Sequence, residues 1–292
     1  MSENKSYTAV VLLIVLSLIW GTSFILIKLG LKTFAPDEVG ALRVTAAALF
    51  LLPLAIPRLK ELKPGDSYKL LLSGLMGIFF PAFLFAWAQT HLNSSLAGIL
   101  NTLSPLWTMI IGALFYSQRF RGFAIIGIVI SFLGTIMLAL SRSGGAITGF
   151  NSYALLIVVA CALYGANLNW IKFKIAGLGS LTITSVSILF IGPLGAAYLF
   201  FFTDFTTKLT TQPGAWTAFG YIVFLALMST AVANMLFVKL LRISSPLFAS
   251  SVTYIMPIVA VMWGVIDHEK LLPGHFIGMA AILGGVYLAN KK

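Results

Sequence analysis

Ten apolar runs, each about the length of a membrane span, alternate with short polar stretches along the chain. They fall near 8–29, 37–57, 67–90, 94–116, 122–140, 152–171, 180–202, 215–238, 246–266 and 272–289. A helix needs roughly 20 apolar residues to cross a bilayer, so the pattern predicts an all-α membrane protein of ten transmembrane helices. The first run continues through Trp20-Gly21-Thr22-Ser23-Phe24 into more apolar sequence and carries no small-residue cleavage site. It therefore reads as a retained span and not as a signal peptide.

Composition agrees with this pattern. Hydrophobic residues make up 59% of the 292 and charged residues 9%, far from the balance of soluble domains. The spans take up nearly the whole length, which leaves no room for a soluble catalytic or receptor domain. The net charge of +11 is spread over single and paired residues between apolar runs. A nucleic-acid surface would cluster them, so the expected partners are membrane lipid and a small-molecule substrate, with no nucleic acid. Cys161 is the single cysteine, so no intrachain disulfide can form.

Orientation follows from where Lys and Arg lie. Alternate loops, counted from the amino terminus, hold 13 of the 19 basic residues, and the opposite side holds 6. Both termini are expected in the cytoplasm, which requires an even number of spans. The halves also repeat. Trp20-Gly21 and Lys28 match Tyr164-Gly165 and Lys172 at an offset of 144 residues, and Pro105 and Gly112 match Pro257 and Gly264 at 152. Residues 1–146 and 147–292 are read as two five-helix repeats. An odd number of spans per repeat inverts the second relative to the first. Inverted repeats mark secondary carriers that bind substrate near the midplane.

All eight carboxylates lie in or beside predicted loops, as do the three histidines. Proton-coupled carriers place an acid on the pathway. Its absence from the spans predicts facilitated transport or exchange, or coupling through some less obvious group. It also disfavours a metal-dependent membrane enzyme, and no GxxxxGK[ST] loop is present. No metal site and no cofactor are expected. Near mid-span stand Trp20, Asn101 with Ser104, Tyr164, Asn167, Asn234, and Ser250 with Tyr254. Phe80 and Phe83 belong to an i, i+3, i+4, i+7 stripe in the third span. These ten residues are candidates for a neutral, amide-bearing and aromatic substrate wall. Packing between helices is the alternative role for each. Arg43, inside Asp37-Glu38, is a candidate gate residue that could pair with an acid or attract anionic groups, with an ordinary interface anchor as the alternative role; Pro105 and Pro257 are candidate hinges. Gly274 and Gly278 form a GxxxG pair compatible with packing inside a monomer or with a homodimer.

LIWGTSFILIKLGL (18–31), the loop APDE (35–38) and ALRVTAAALFLLPL (41–54) resemble the opening of EamA-type carriers of the drug/metabolite transporter superfamily. LAGILNTLSPLWTMIIGALF (96–115) and EKLLPGHFIGMAAILGGVYLA (269–289) resemble the fourth, ninth and tenth spans of that family. The resemblance covers essentially the whole chain in two copies. It implies ten helices in an inverted five-plus-five repeat, cytoplasmic termini and a central cavity lined largely by the third, fourth, eighth and ninth helices with help from the first and sixth. Family repeats often carry a glutamate after the fourth and ninth spans; Glu269 matches it, whereas the first repeat has Gln118. The expectation is a multi-pass protein of the bacterial inner (plasma) membrane. It would export small neutral or zwitterionic metabolites, above all aromatic or other apolar amino acids, by alternating access. The rivals are a nucleotide-sugar or drug carrier and, from another class, a membrane enzyme or lipid-handling subunit.

Overall fold

A computed structural model describes residues 3–92, 94–142, 152–175, 177–266 and 273–289. The boundary expected between residues 146 and 147, and Glu269, lie outside the described residues. Helix dominates what is described, and no strand occurs among those residues. Six helical stretches are long and apolar enough to cross a membrane: Tyr7–Gly30, Pro36–Glu61, Asp66–Ala88, Ala154–Lys174, Ser180–Phe201 and Ala215–Ile243. Shorter apolar helices run over Ser104–Tyr116, Gly122–Met137, Pro246–Val259 and Phe276–Ala289. Large apolar side chains cover the outside, with Phe201 82% and Phe115 76% exposed. A surface of that kind is stable against lipid and not against water.

In chain order the helices are α1 (Glu3–Gly30), α2 (Pro36–Ala55), α3 (Asp66–Gly74), α4 (Phe80–Ala88), α5 (Ser94–Asn101) and α6 (Ser104–Tyr116). There follow α7 (Gly122–Arg142), α8 (Ala154–Lys174), α9 (Ser180–Phe201) and the short α10 (Phe205–Thr211). The last are α11 (Ala215–Leu225), α12 (Ala233–Ile243), α13 (Pro246–Ser250), α14 (Val252–Ile266) and α15 (Pro273–Ala289). A π-helical turn, Leu75–Phe79, joins α3 to α4, and a second, Ala226–Val232, joins α11 to α12.

Local chemistry explains several boundaries. Pro36 opens α2 where its missing N–H costs nothing, and Glu38 reaches back to accept the Ala35 N–H at 2.7 Å. Pro105 cannot donate to the Asn101 carbonyl, so the fourth span breaks between α5 and α6. Ser104 Oγ donates to that carbonyl instead, at 2.8 Å. Between α13 and α14 the hydroxyls of Ser250 and Ser251 both donate to the Leu247 carbonyl, at 2.9 and 3.0 Å.

Helix α1 lies against α11, α12 and α14, and α8 lies against α4 and α6. Elsewhere α2 packs on α9 and α7 on α15. In the α7–α15 seam a Cβ on Gly134 would stand 2.9 Å from the Gly278 carbonyl oxygen, and one on Gly285 2.6 Å from that of Gly127. Small residues bring these two backbones together inside one chain, so Gly278 serves an internal contact.

Candidate functional site

Helices α1 and α8 and the helices they pack on surround a partly open cavity with about 950 Å³ of empty volume, its mouth included. Its lining comes from α1, α2, both π turns, α4, α5, α6, α8, α12, α13 and α14. Seven of the ten wall candidates line it: Trp20, Asn101, Ser104, Tyr164, Asn167, Asn234 and Ser250. Arg43 is the single charged residue in the described lining. The rest is aromatic, aliphatic or neutral polar, with Phe24, Phe85 and Phe237 contributing rings.

One wall is built around the second π turn. Such a turn shifts the backbone register and leaves carbonyls poorly paired. Trp20 Nε1 donates to the Ser229 carbonyl at 3.0 Å. Asn234 Nδ2 donates to the carbonyls of Ser229 and Thr230, at 3.3 and 2.9 Å. Ser23 Oγ donates to Ser229 Oγ at 2.9 Å, and Arg43 reaches the same turn through Nε–H to Thr230 Oγ1 at 2.7 Å and Nη2–H to Ser229 Oγ at 3.4 Å. The opposite wall is softer. Asn101 Nδ2 points at the Met256 sulfur, 3.7 Å away, and the Cys161 thiol faces the Leu100 and Asn101 carbonyls at 3.5 and 3.8 Å. Near the first π turn Ser73 donates to Asn167 Oδ1 at 2.8 Å, and Gly77 leaves the space that the Asn167 amide occupies.

Three wall candidates lie elsewhere. Phe80 is 47% exposed and faces outward. Phe83 is buried between α2 and α9, beside Gly40 and edge-on to Tyr198. The third span is apolar all round, so helical spacing alone could not tell which stripe turned inward; Ala82 and Phe85 do. Tyr254 is 1% exposed, packed with Ala124, Ile128 and Ile282 on the side away from the cavity. The break at Ser251 and the 100° step per residue place Thr253 and Met256 inward in its stead.

The acid pairing expected of Arg43 is not made among the described residues. Glu38 instead binds Lys208 at 2.8 Å, and Asp37 accepts from the Tyr198 hydroxyl at 3.2 Å. Pro105 stands at the α5–α6 break, but Pro257 lies within α14, past the break at Ser251. Gln118, where related repeats carry glutamate, donates to Asn169 Oδ1 at 2.6 Å, tying the end of α6 to α8. Sequence reasoning missed Ser23, Gly77, Ser229, Thr253 and Met256. Ser229-Thr230 in the middle of an apolar span was the available signal.

Comparison with known proteins places this architecture. The EamA-like transporter family model matches residues 7–140 and again 151–291. An uncharacterized transporter of Archaeoglobus fulgidus is 25% identical over 274 residues, covering 94% of this chain and 95% of that one. The uncharacterized inner membrane transporter YedA of Escherichia coli K12 is 26% identical over 289 residues, covering 95% and 89%. A probable terminal-alkyne amino-acid exporter of Streptantibioticus cattleyicolor is 23% identical over 302 residues, covering 100% and 95%. A crystal structure superposes with a TM-score of 0.75 at 18% identity, over 97% of this chain and 96% of that one, which establishes the shared fold. With both stretches of the family model matched, the chain belongs to the EamA-like transporter family and is a multi-pass inner-membrane transporter.

Proposed function

We propose that this transporter exports small neutral or zwitterionic amino acids with aromatic or other apolar side chains, by facilitative alternating access. The carrying observation is the central cavity, whose rings and side-chain amides suit an apolar body with hydrogen-bonding ends. The name of the Streptantibioticus relative, an amino-acid exporter, supports the substrate class and the direction. The described lining contains no carboxylate, which favours passage without proton coupling.

The architecture in this reading has ten spans, with residues 1–146 and 147–292 as inverted repeats and both termini cytoplasmic. Six long and four shorter apolar helices support the count, and the paired family matches support the division. The π turns support it further. Gly77 and Ser229, at their centres, are separated by the same 152 residues that relate Pro105 to Pro257. Each lies against the first helix of the other half, Gly77 at Asn167 and Ser229 at Ser23, and those partners are 144 residues apart, the interval relating Trp20 to Tyr164.

Counterflow in proteoliposomes containing purified protein alone tests the function. Labelled L-phenylalanine or L-leucine should accumulate against an internal pool of the same unlabelled amino acid, with no pH gradient imposed. Accumulation that requires a pH gradient would refute the facilitative mechanism, and no counterflow across an amino-acid panel would refute the substrate class.

A further inference from the structure

We propose that Arg43 is the anchor for a carboxylate of the transported molecule, so that the substrate supplies the counter-charge the protein withholds. This deepens the amino-acid reading above and rests on the same cavity. A guanidinium within a membrane-embedded cavity ordinarily finds an anionic partner, because an uncompensated charge at low dielectric is costly. The neighbouring acids are engaged elsewhere: Glu38 with Lys208 and the Ala35 N–H, Asp37 with Tyr198. Arg43 holds two hydroxyls, those of Thr230 and Ser229. Hydroxyls orient a guanidinium without neutralising it.

Two of its five N–H donors are used in this way. Its Nη1 group has no protein acceptor among the described residues, while the side chain lines the cavity. A planar fork held from one side and open on the other matches a carboxylate, which it can grip with two parallel hydrogen bonds. Lysine would provide charge without that fork.

The cavity treats the two ends of an amino acid unequally. No carboxylate in the described lining awaits an ammonium group. The ammonium is left with uncharged groups of the lining, among them the side chains of Asn101, Asn167 and Asn234 and the rings of Trp20 and Tyr164. Loss of the substrate's carboxylate therefore weakens binding more than loss of its ammonium. Closing the cavity around an empty, unneutralised Arg43 is also less favourable than closing it around a loaded one, which biases the carrier towards exchange.

The test uses the full chain, purified for thermal shift and reconstituted for counterflow of labelled L-phenylalanine. The competitors are L-phenylalaninamide, which lacks the carboxylate, and 3-phenylpropionate, which lacks the ammonium. The expected result is competition by 3-phenylpropionate and competition at least about tenfold weaker by the amide, the scale of a lost charge-assisted bond. Arg43→Lys should retain part of the transport, and Arg43→Gln should lose it along with the thermal shift given by 3-phenylpropionate. Equal competition by amide and acid overturns the anchor, as does a 3-phenylpropionate shift that survives in Arg43→Gln; either result leaves amino-acid transport standing. If the amino-acid panel neither moves nor stabilises the protein while 3-phenylpropionate stabilises wild type but not Arg43→Gln, the anchor holds and the amino-acid reading falls. If no acid stabilises wild type, both fall.

Discussion

The two π turns facing the cavity, Leu75–Phe79 and Ala226–Val232, differ in how they are made. At Leu75–Phe79 the cause is covalent: Pro81 follows within a turn and cannot donate back along the helix. At Ala226–Val232 there is no proline, and the displaced carbonyls of Ser229 and Thr230 are taken by Trp20 and Asn234 side chains. The first distortion is built into the backbone. The second persists only while side chains from two helices hold it, so it is the one a conformational change can release.

Substitutions can break or sharpen that contrast. The largest effect is expected from Gly77→Val, because any side chain there meets the Asn167 amide, with Asn167 Cγ only 3.0 Å from an added Cβ. Counterflow should fall more than about tenfold, and overpacking of about 1–3 kcal/mol should lower the melting temperature. Partial recovery in Gly77→Val with Asn167→Ala would locate the damage in that contact; normal transport by the single variant would show that crossing of α8 onto the first π turn is dispensable.

Next in size is Asn234→Leu, which removes the amide that donates to the Ser229 and Thr230 carbonyls, at a cost of about 1 kcal/mol for each bond. Turnover should drop several-fold, read as counterflow rate at saturating L-phenylalanine. Trp20→Phe keeps a ring but removes the N–H to Ser229. It should cost about 1 kcal/mol in thermal or denaturant unfolding and raise the half-saturating substrate concentration. Smallest is Pro81→Ala. It restores a donor and helix propensity, so stability should hold or rise by up to about 1 kcal/mol while turnover changes less than about twofold. A Pro81→Ala defect larger than that of Asn234→Leu would reverse the assignment of which turn moves.

Much of the fold could be read in advance, because lipid imposes a simple rule. A span must be apolar and must satisfy its own backbone, so length and hydropathy located the helices. Seven of ten wall candidates line the cavity for a related reason: a polar side chain such as Asn101 or Asn234 in an apolar span has few favourable places to face. The misses share another cause. Phe80, Phe83 and Tyr254 are apolar enough for lipid, core or cavity, so their residue types carried no direction. Their facing depends on the break at Ser251 and on which neighbours fill the space. Ser229 was missed because its importance comes from a carbonyl freed by the π turn.

The sequence by itself determined a helical membrane protein whose acids stand in the loops or at the ends of its apolar runs, since hydrophobic transfer and charge desolvation act residue by residue. Tertiary structure alone decided that Arg43 faces a cavity with its neighbouring acids engaged elsewhere, and that Trp20 and Asn234 hold open the turn beside it. Those facts depend on which helices cross, and contacts between residues as distant in sequence as Arg43 and Thr230 exist only once the chain has folded.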